Sequence, residues 1–223
     1  MAVLMDGKKI SSEVRGEIAK EVTILKEKGI VPGLAVIIVG DDPASKVYVS
    51  NKKKACEEVG IHSEVYHMPE STTQEELLAK VHELNKREDI HGILVQLPLP
   101  KHLDEELVIN NIDYKKDVDA FHPINVGRIM IGNQTFLPCT PAGVMEMLER
   151  YNIDLKGKEC VIVGRSNIVG KPQAMLMLQR NGTVTICHSK TNNLGELTKR
   201  ADVLVAAVGK PKFITADMVK DGA

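Results

Sequence analysis

Ser45, Tyr48, Lys52 and Cys56 fall at steps of three, four and four, which places all four on one face of a helix. A tyrosine ring can stack on a flat heterocycle while its hydroxyl holds a polar edge. A lysine one turn on can exchange protons when burial and neighbouring cations bring its pKa towards neutrality. A Tyr and a Lys one turn apart are also common on solvated helix faces, so the pair needs further partners before it means catalysis.

A second stretch has the form of a nucleotide site. Cys160-Val161-Ile162-Val163 is an apolar run of strand type, and it enters the turn Gly164-Arg165-Ser166-Asn167-Ile168-Val169-Gly170-Lys171-Pro172. Glycine lets the backbone approach a phosphate, and the amides of a following helix N-terminus can face it. The two glycines stand six apart, which is not the G-x-G-x-x-G spacing. Arg165 is placed where a cation could meet the 2′-phosphate of NADP, so an oxidoreductase is the first hypothesis. Tyr-x-x-x-Lys also occurs in short-chain dehydrogenases, but there it follows the glycine turn. Here it lies far upstream, and chain order rejects that assignment.

Three further positions invite chemistry. Gln96 ends an apolar run, and ligands of parallel sheets bind at the carboxyl ends of strands. Its amide could bond a substrate or hold Lys52, or it could merely end the strand. Lys116-Asp117-Val118-Asp119 offers two carboxylates in a loop. They could bind a metal, accept hydrogen bonds from an amino-substituted heterocycle, or stabilise a turn. No histidine or EF-hand pattern completes a metal site, so none is expected. His188-Ser189 follows the run Thr183–Cys187, where Ser189 and Lys190 could hold the adenosine phosphate. No acidic residue ends that run to read ribose hydroxyls, which agrees with NADP over NAD. His188 itself reads as a loop histidine.

Composition narrows the classes. The 223 residues are 43% apolar, enough for a core without disulfides, and carry 29 basic against 30 acidic side chains. That balance lacks the basic footprint of a nucleic-acid binder. Lys52-Lys53-Lys54 is a short basic run of the kind found on solvated helices. The four cysteines, Cys56, Cys139, Cys160 and Cys187, form no C-x-x-C pair. Reduced thiols in a cytoplasmic protein are the simplest reading. No apolar segment reaches membrane-spanning length and Ala2–Met5 is too short for a signal core, so no membrane association is expected.

The elements that must position these residues alternate. Helices are expected over 8–28, from Pro43 to near Gly60, and after Thr72 or Thr73 with Leu77, Val81 and Leu84 inward. Strands are expected over 34–39, 61–66 and 90–96, and Leu97-Pro98-Leu99-Pro100 cannot continue inside a sheet. The stretch 113–138 reads as irregular. Thr140-Pro141 reads as an N-cap followed by proline at the first helical position. A second series follows: strand 160–164, helix 172–180, strand 183–187, a weaker helix over 193–200, and strand 203–208. The fold class is α/β in two domains, 1–140 for substrate and 141–223 Rossmann-like, each with a parallel sheet. Three strands make a thin dinucleotide domain, so the sequence is expected to lack its natural end.

The motifs, in their order, closely resemble one family. Asp42 to Lys52, Val95 to Pro100, Lys116 to Asp119, Pro138 to Pro141, Gly164-Arg165-Ser166 with Val169-Gly170, and Cys187 to Thr191 are similar to signatures of bifunctional methylenetetrahydrofolate dehydrogenase/cyclohydrolase. The match runs along the whole chain. The resemblance implies an N-terminal three-layer α/β folate domain and an NADP-binding Rossmann-like domain incomplete at its C-terminal end. It implies oxidation of 5,10-methylenetetrahydrofolate to the methenyl cation with NADP, then hydrolysis to 10-formyltetrahydrofolate. Lys52 would be the acid/base group tuned by Gln96, Tyr48 would stack on the folate, and Asp119 would anchor the pterin. Ser45, Val95 and Leu97 would complete the substrate site. Gly164, Arg165, Ser166, Gly170 and Ser189 would hold NADP. No metal would be needed, because the bound cation is already electrophilic, and the protein would be a homodimer. Ala120 stands where the family has glycine, beside the expected folate site. The family's further strand, glycine-rich loop and terminal helix are absent, so hydride transfer would suffer most, and a non-catalytic NADP- and folate-binding relative is the alternative.

Overall fold

A computed structural model of the protein describes residues 2–223. The chain forms two compact units, one ending at Ile124 and the other running Asn125–Ala223. In the first, helix α1 (Gly7–Glu27) precedes strand β1 (Gly33–Val39), helix α2 (Pro43–Val59), strand β2 (His62–Met68), helix α3 (Gln74–Lys86), strand β3 (Gly92–Val95) and helix α4 (Glu105–Asn111). The second holds strands β4 (Glu159–Val163), β5 (Thr183–Cys187) and β6 (Val203–Ala206), with helices α6 (Cys139–Arg150), α7 (Gly170–Gln179) and α8 (Leu194–Thr198). Helix α5 (Pro123–Met130) spans the boundary.

Both sheets are parallel, with orders β2-β1-β3 and β5-β4-β6. The middle strand of each is buried along nearly its whole length and reads as an apolar run, broken in β4 only by Glu159 at its start, as such strands do. In β1, alternation divides the labour. Ala35, Ile37 and Val39 pack with Leu77, Val81 and Leu84 of α3 and with Val108 of α4. Val36 and Ile38 turn the other way, towards Val49 of α2. The first unit is therefore a helix–sheet–helix sandwich. In β4, Val161 and Val163 pack with Leu194 and Leu197 of α8.

Helix ends follow local chemistry. Asp42 accepts a bond from the Ser45 amide at 2.7 Å and caps α2, which stops at Gly60 in the left-handed region. Of the two threonines proposed as caps, Thr73 serves: its hydroxyl and Glu76 form a reciprocal capping box on α3. Thr72 is buried and donates instead to the Pro69 carbonyl.

Three expectations need correction. The stretch 113–138 is not irregular throughout, because α5 lies within it; Gly127 and the β-branched Ile124, Val126 and Ile129 hid an eight-residue helix behind poor propensity. Helix α4 goes beyond the expected elements, although Asp104 caps it through the Leu107 amide. Helix α6 begins at Cys139 with Pro138 as its cap residue, so Thr140 is inside the first turn rather than the cap. Pro141 still costs no bond there, since first-turn amides have no partner within the helix.

The outermost strand β2 is tied to the end of α3 by an ion network. Arg87 donates to both carboxylate oxygens of Glu64 at 2.7 Å and to the Tyr66 hydroxyl at 2.7 Å. Tyr66 in turn donates to Glu64, and Arg87 also pairs with Asp89. The guanidinium, followed by the Tyr66 and His62 bonds, holds the Glu64 carboxyl far below the ordinary carboxylate range. A depressed acid stabilises the fold above its unfolded pKa and loses that contribution as pH falls. Glu64→Gln therefore lowers the melting temperature at neutral pH, and the gap from wild type narrows below about pH 4. Thermal melts across pH check this; a gap that persists undiminished into acid contradicts it.

Candidate active site

The first unit brings its proposed residues to the carboxyl end of the β1–β3 pair. The Gln96 amide continues the sheet by donating to Ile37 O at 2.8 Å, which fixes the side chain just beyond β3. Its Oε1 accepts from Lys52 Nζ at 3.1 Å, and its Nε2 donates to Leu97 O at 2.7 Å. Both ends of the carboxamide are thus committed, and the lysine is oriented from one side. Tyr48, a turn earlier on α2, is 63% exposed, so its ring is open to a flat ligand.

Asp119 completes the set electrostatically. Burial pushes its carboxyl up, the Lys52 charge pulls it down, and Asp117 adds to the rise. The two aspartates have separate tasks. Asp117 is 2% exposed, and its Oδ2 accepts from the His122 amide at 2.8 Å, the turn-stabilising role. Ala120 beside them is fully buried with φ 56°, a left-handed conformation that glycine adopts without strain. Ser45 is buried at the start of α2 and bound to Asp42, while Val95 and Leu97 pack in the core cluster under the site.

The second unit gathers its residues at the carboxyl end of β4. Gly164 has φ 136°, and a Cβ there would lie 2.4 Å from Ala207 O. At Gly170 a Cβ would lie 2.2 Å from Gly164 O, so both positions require glycine for close passage of the backbone. Ser166 Oγ accepts from the amides of Val169 at 3.1 Å and Gly170 at 3.3 Å. Those amides are therefore engaged by the loop itself. What the turn offers outward is the Ser166 hydroxyl proton and the exposed Arg165 side chain. A cation and a hydroxyl donor at a strand end, with no carboxylate closing β5, suit a phosphate-bearing ribose. Ser189 is exposed in the turn after β5, where His188 Nδ1 accepts from the Lys190 amide and the His188 amide donates to Thr191. His188 is a turn former.

Among the described residues, no group of three or more His, Cys, Asp or Glu side chains is placed to hold a metal, and no helix is long and apolar enough to cross a membrane. The sequence left Ser166's loop bonds and the division between Asp117 and Asp119 unread. Nothing in residue spacing distinguishes a carboxylate bonded to its own turn from one left facing a site.

Comparison with known proteins gives one answer. The family model for the tetrahydrofolate dehydrogenase/cyclohydrolase catalytic domain matches residues 5–119, and that for the NAD(P)-binding domain matches 138–223. The bifunctional protein FolD of Acetivibrio thermocellus is 63% identical over 222 residues, covering 100% of this chain and 78% of the relative. The crystal structure of the FolD methylenetetrahydrofolate dehydrogenase/cyclohydrolase from Campylobacter jejuni superposes with a TM-score of 0.96 at 51% identity, over 98% of this chain and 78% of that one. The Trypanosoma brucei enzyme, solved with NADP and an inhibitor, gives 0.93 at 36% identity, over 98% and 76%.

Lys52 is the cation that opposes the upward shift at Asp119. In Lys52→Met the Asp119 pKa rises further, measurable by carbon-13 NMR of the labelled carboxyl during a pH titration. An unchanged or lower value contradicts the proximity of the two groups.

Proposed function

The chain belongs to the tetrahydrofolate dehydrogenase/cyclohydrolase family, and from that premise we propose how its residues share two linked reactions. The protein oxidises 5,10-methylenetetrahydrofolate to the methenyl form with NADP, and hydrolyses that cation to 10-formyltetrahydrofolate. We assign folate chemistry to residues 1–140 and cofactor binding to 141–223. The segment 125–140, compact with the second unit, then counts functionally with the first.

The observation that carries the residue assignment is the Lys52–Gln96 bond at the end of a parallel sheet, beside an exposed tyrosine and a shielded aspartate. Tyr48 stacks on the pterin, and Asp119 accepts hydrogen bonds from its amino-substituted edge. Ser45 stiffens the start of α2, and Val95 and Leu97 form the floor. When bound, NADP supplies the hydride acceptor for the first step. In the second, water adds to the methenyl carbon, and Lys52 Nζ takes the proton that water gives up. The carbon–nitrogen bond of the ring then breaks as the carbinol oxygen becomes the formyl carbonyl, with Lys52 returning its proton to the departing nitrogen and the hydroxyl proton leaving to solvent. Gln96 keeps the Lys52 nitrogen aimed through both transfers. A protein that only bound NADP and folate would have no use for this arrangement.

Residues of the glycine turn fit the cofactor. Gly164 and Gly170 keep the backbone tight, while Arg165, Ser166 and Ser189 face the 2′-phosphate end. We further propose that the protein works in the cytoplasm as a homodimer, with tetrahydrofolate derivatives as its ligands and neither nucleic acid nor membrane among its partners.

Two variants test the assignment. Lys52→Met lowers the cyclohydrolase rate about 100-fold or more, within the range of lost acid–base catalysis, while folate binding stays nearly unchanged. Retained hydrolysis would remove Lys52 from the mechanism. Arg165→Ala weakens NADP binding about tenfold, which corresponds to ~1.4 kcal/mol, and leaves NAD binding alone. Equal losses for the two dinucleotides would place Arg165 elsewhere.

A further inference from the structure

Lys116 has a geometry that neither reaction absorbs. Its Nζ donates to three main-chain carbonyls, Leu84 O at 3.2 Å, Asn85 O at 2.9 Å and Arg87 O at 2.6 Å. An ammonium has three donors, and all three are spent. The acceptors lie at the C-terminal end of α3, where Leu84 O also accepts from the Arg87 cap amide at 3.2 Å and the helix dipole favours a cation. No carboxylate lies within ion-pair distance of Lys116 among the described residues, so its charge is balanced by helix carbonyls from some thirty positions earlier in the chain.

The same residue begins the loop that carries Asp119. Lys116 O accepts from the Ile93 amide at 2.7 Å, and Asp117 pairs with Ile93 alongside β3. Upstream, the Asp113 amide donates to Asn85 Oδ1 at 2.9 Å, and the Lys116 amide donates to Asp113 O at 2.7 Å. Downstream, the Asp117 carboxylate holds the His122 amide. Asp119 thus rides on a segment clamped to α3 on one side and to β3 on the other. Gln96 leaves the end of that same β3, so the clamp refers Asp119 and the Lys52–Gln96 pair to one strand.

We propose that Lys116 is a positioning residue for the folate reactions: by closing the end of α3 it fixes the 116–122 loop against β3 and so holds Asp119 beside Lys52. The inference rests on the assignment of Asp119 to pterin binding. It extends that assignment to a side chain that touches neither ligand, and it explains why a lysine is needed where water or a glycine cap would otherwise finish the helix.

A double-mutant cycle on the full chain tests it. Lys116→Met is combined with Asp119→Asn, and cyclohydrolase kcat and KM are read together with the Kd for a reduced folate. Lys116→Met raises KM and Kd about tenfold, and Asp119→Asn costs much less in its background than in wild type, because coupled sites do not add. Thr73→Ala, which loosens the opposite end of the same helix, serves as the control and adds independently to Asp119→Asn. Lys116→Arg keeps the charge but cannot seat three donors at one point, and it restores part of the affinity. It also carries the cycle if the methionine variant does not fold. Strict additivity of Lys116 and Asp119 substitutions, with Asp119→Asn alone impairing binding, overturns the positioning role and leaves the site assignment standing. Full binding in Asp119→Asn overturns both.

Discussion

One hydrogen bond sets the terms for the first unit: Lys52 Nζ to Gln96 Oε1, at 3.1 Å. It joins a helix to the end of a strand forty-four positions away, and it needs both held in register. The helix is fixed by Asp42 at its start and by Val49 against the β1 face; the strand is fixed by its pairing with β1. Since Gln96 also bonds its own Leu97 carbonyl, the carboxamide cannot turn over, and its oxygen always faces the lysine. Burial around Asp119 then matters because it sharpens the interaction of that carboxyl with the same ammonium. Side chains held in this way need no further ordering among themselves.

The second unit uses a different economy of groups. A dinucleotide turn is usually imagined as a nest of free amides, yet here a serine oxygen closes the nest from within. Those two amides are spent within the loop, and what it leaves exposed are side chains, Arg165 among them. This separation lets the glycines serve the geometry alone, and the contacts that a Cβ would make at Gly164 and Gly170 show how little latitude that geometry has.

Much of this was legible in the residues. The helix face of Tyr48 and Lys52, the apolar strand runs, the glycine at each sharp turn and the break at Pro98 are local signals, and local physics decides them. The unread features are those whose partners are distant. Lys116 looks like any loop lysine until the folded chain brings the end of α3 to it, and Asp117 and Asp119 have identical chemistry until one of them is turned inward. Helix α5 was hidden for another reason. Its residues favour a strand in isolation, and a buried side of Asn125 and Ile129 outweighs that preference. Thr140 shows the limit of cap patterns, because a proline before Cys139 had already begun the helix.

The bonds around Glu64 have an effect on the outside of the molecule as well. Strand β2 ends its sheet, so its free edge could template the addition of a stranger's backbone. Instead the strand carries polar side chains along its length, His62, Glu64 and His67, and the Arg87 fork pairs with Glu64 across it. A chain that docked there would have to strip water from the Glu64–Arg87 pair, which is costly unless new partners replace it. Charge at the rim of a sheet works in this way against the edge-to-edge addition of another strand.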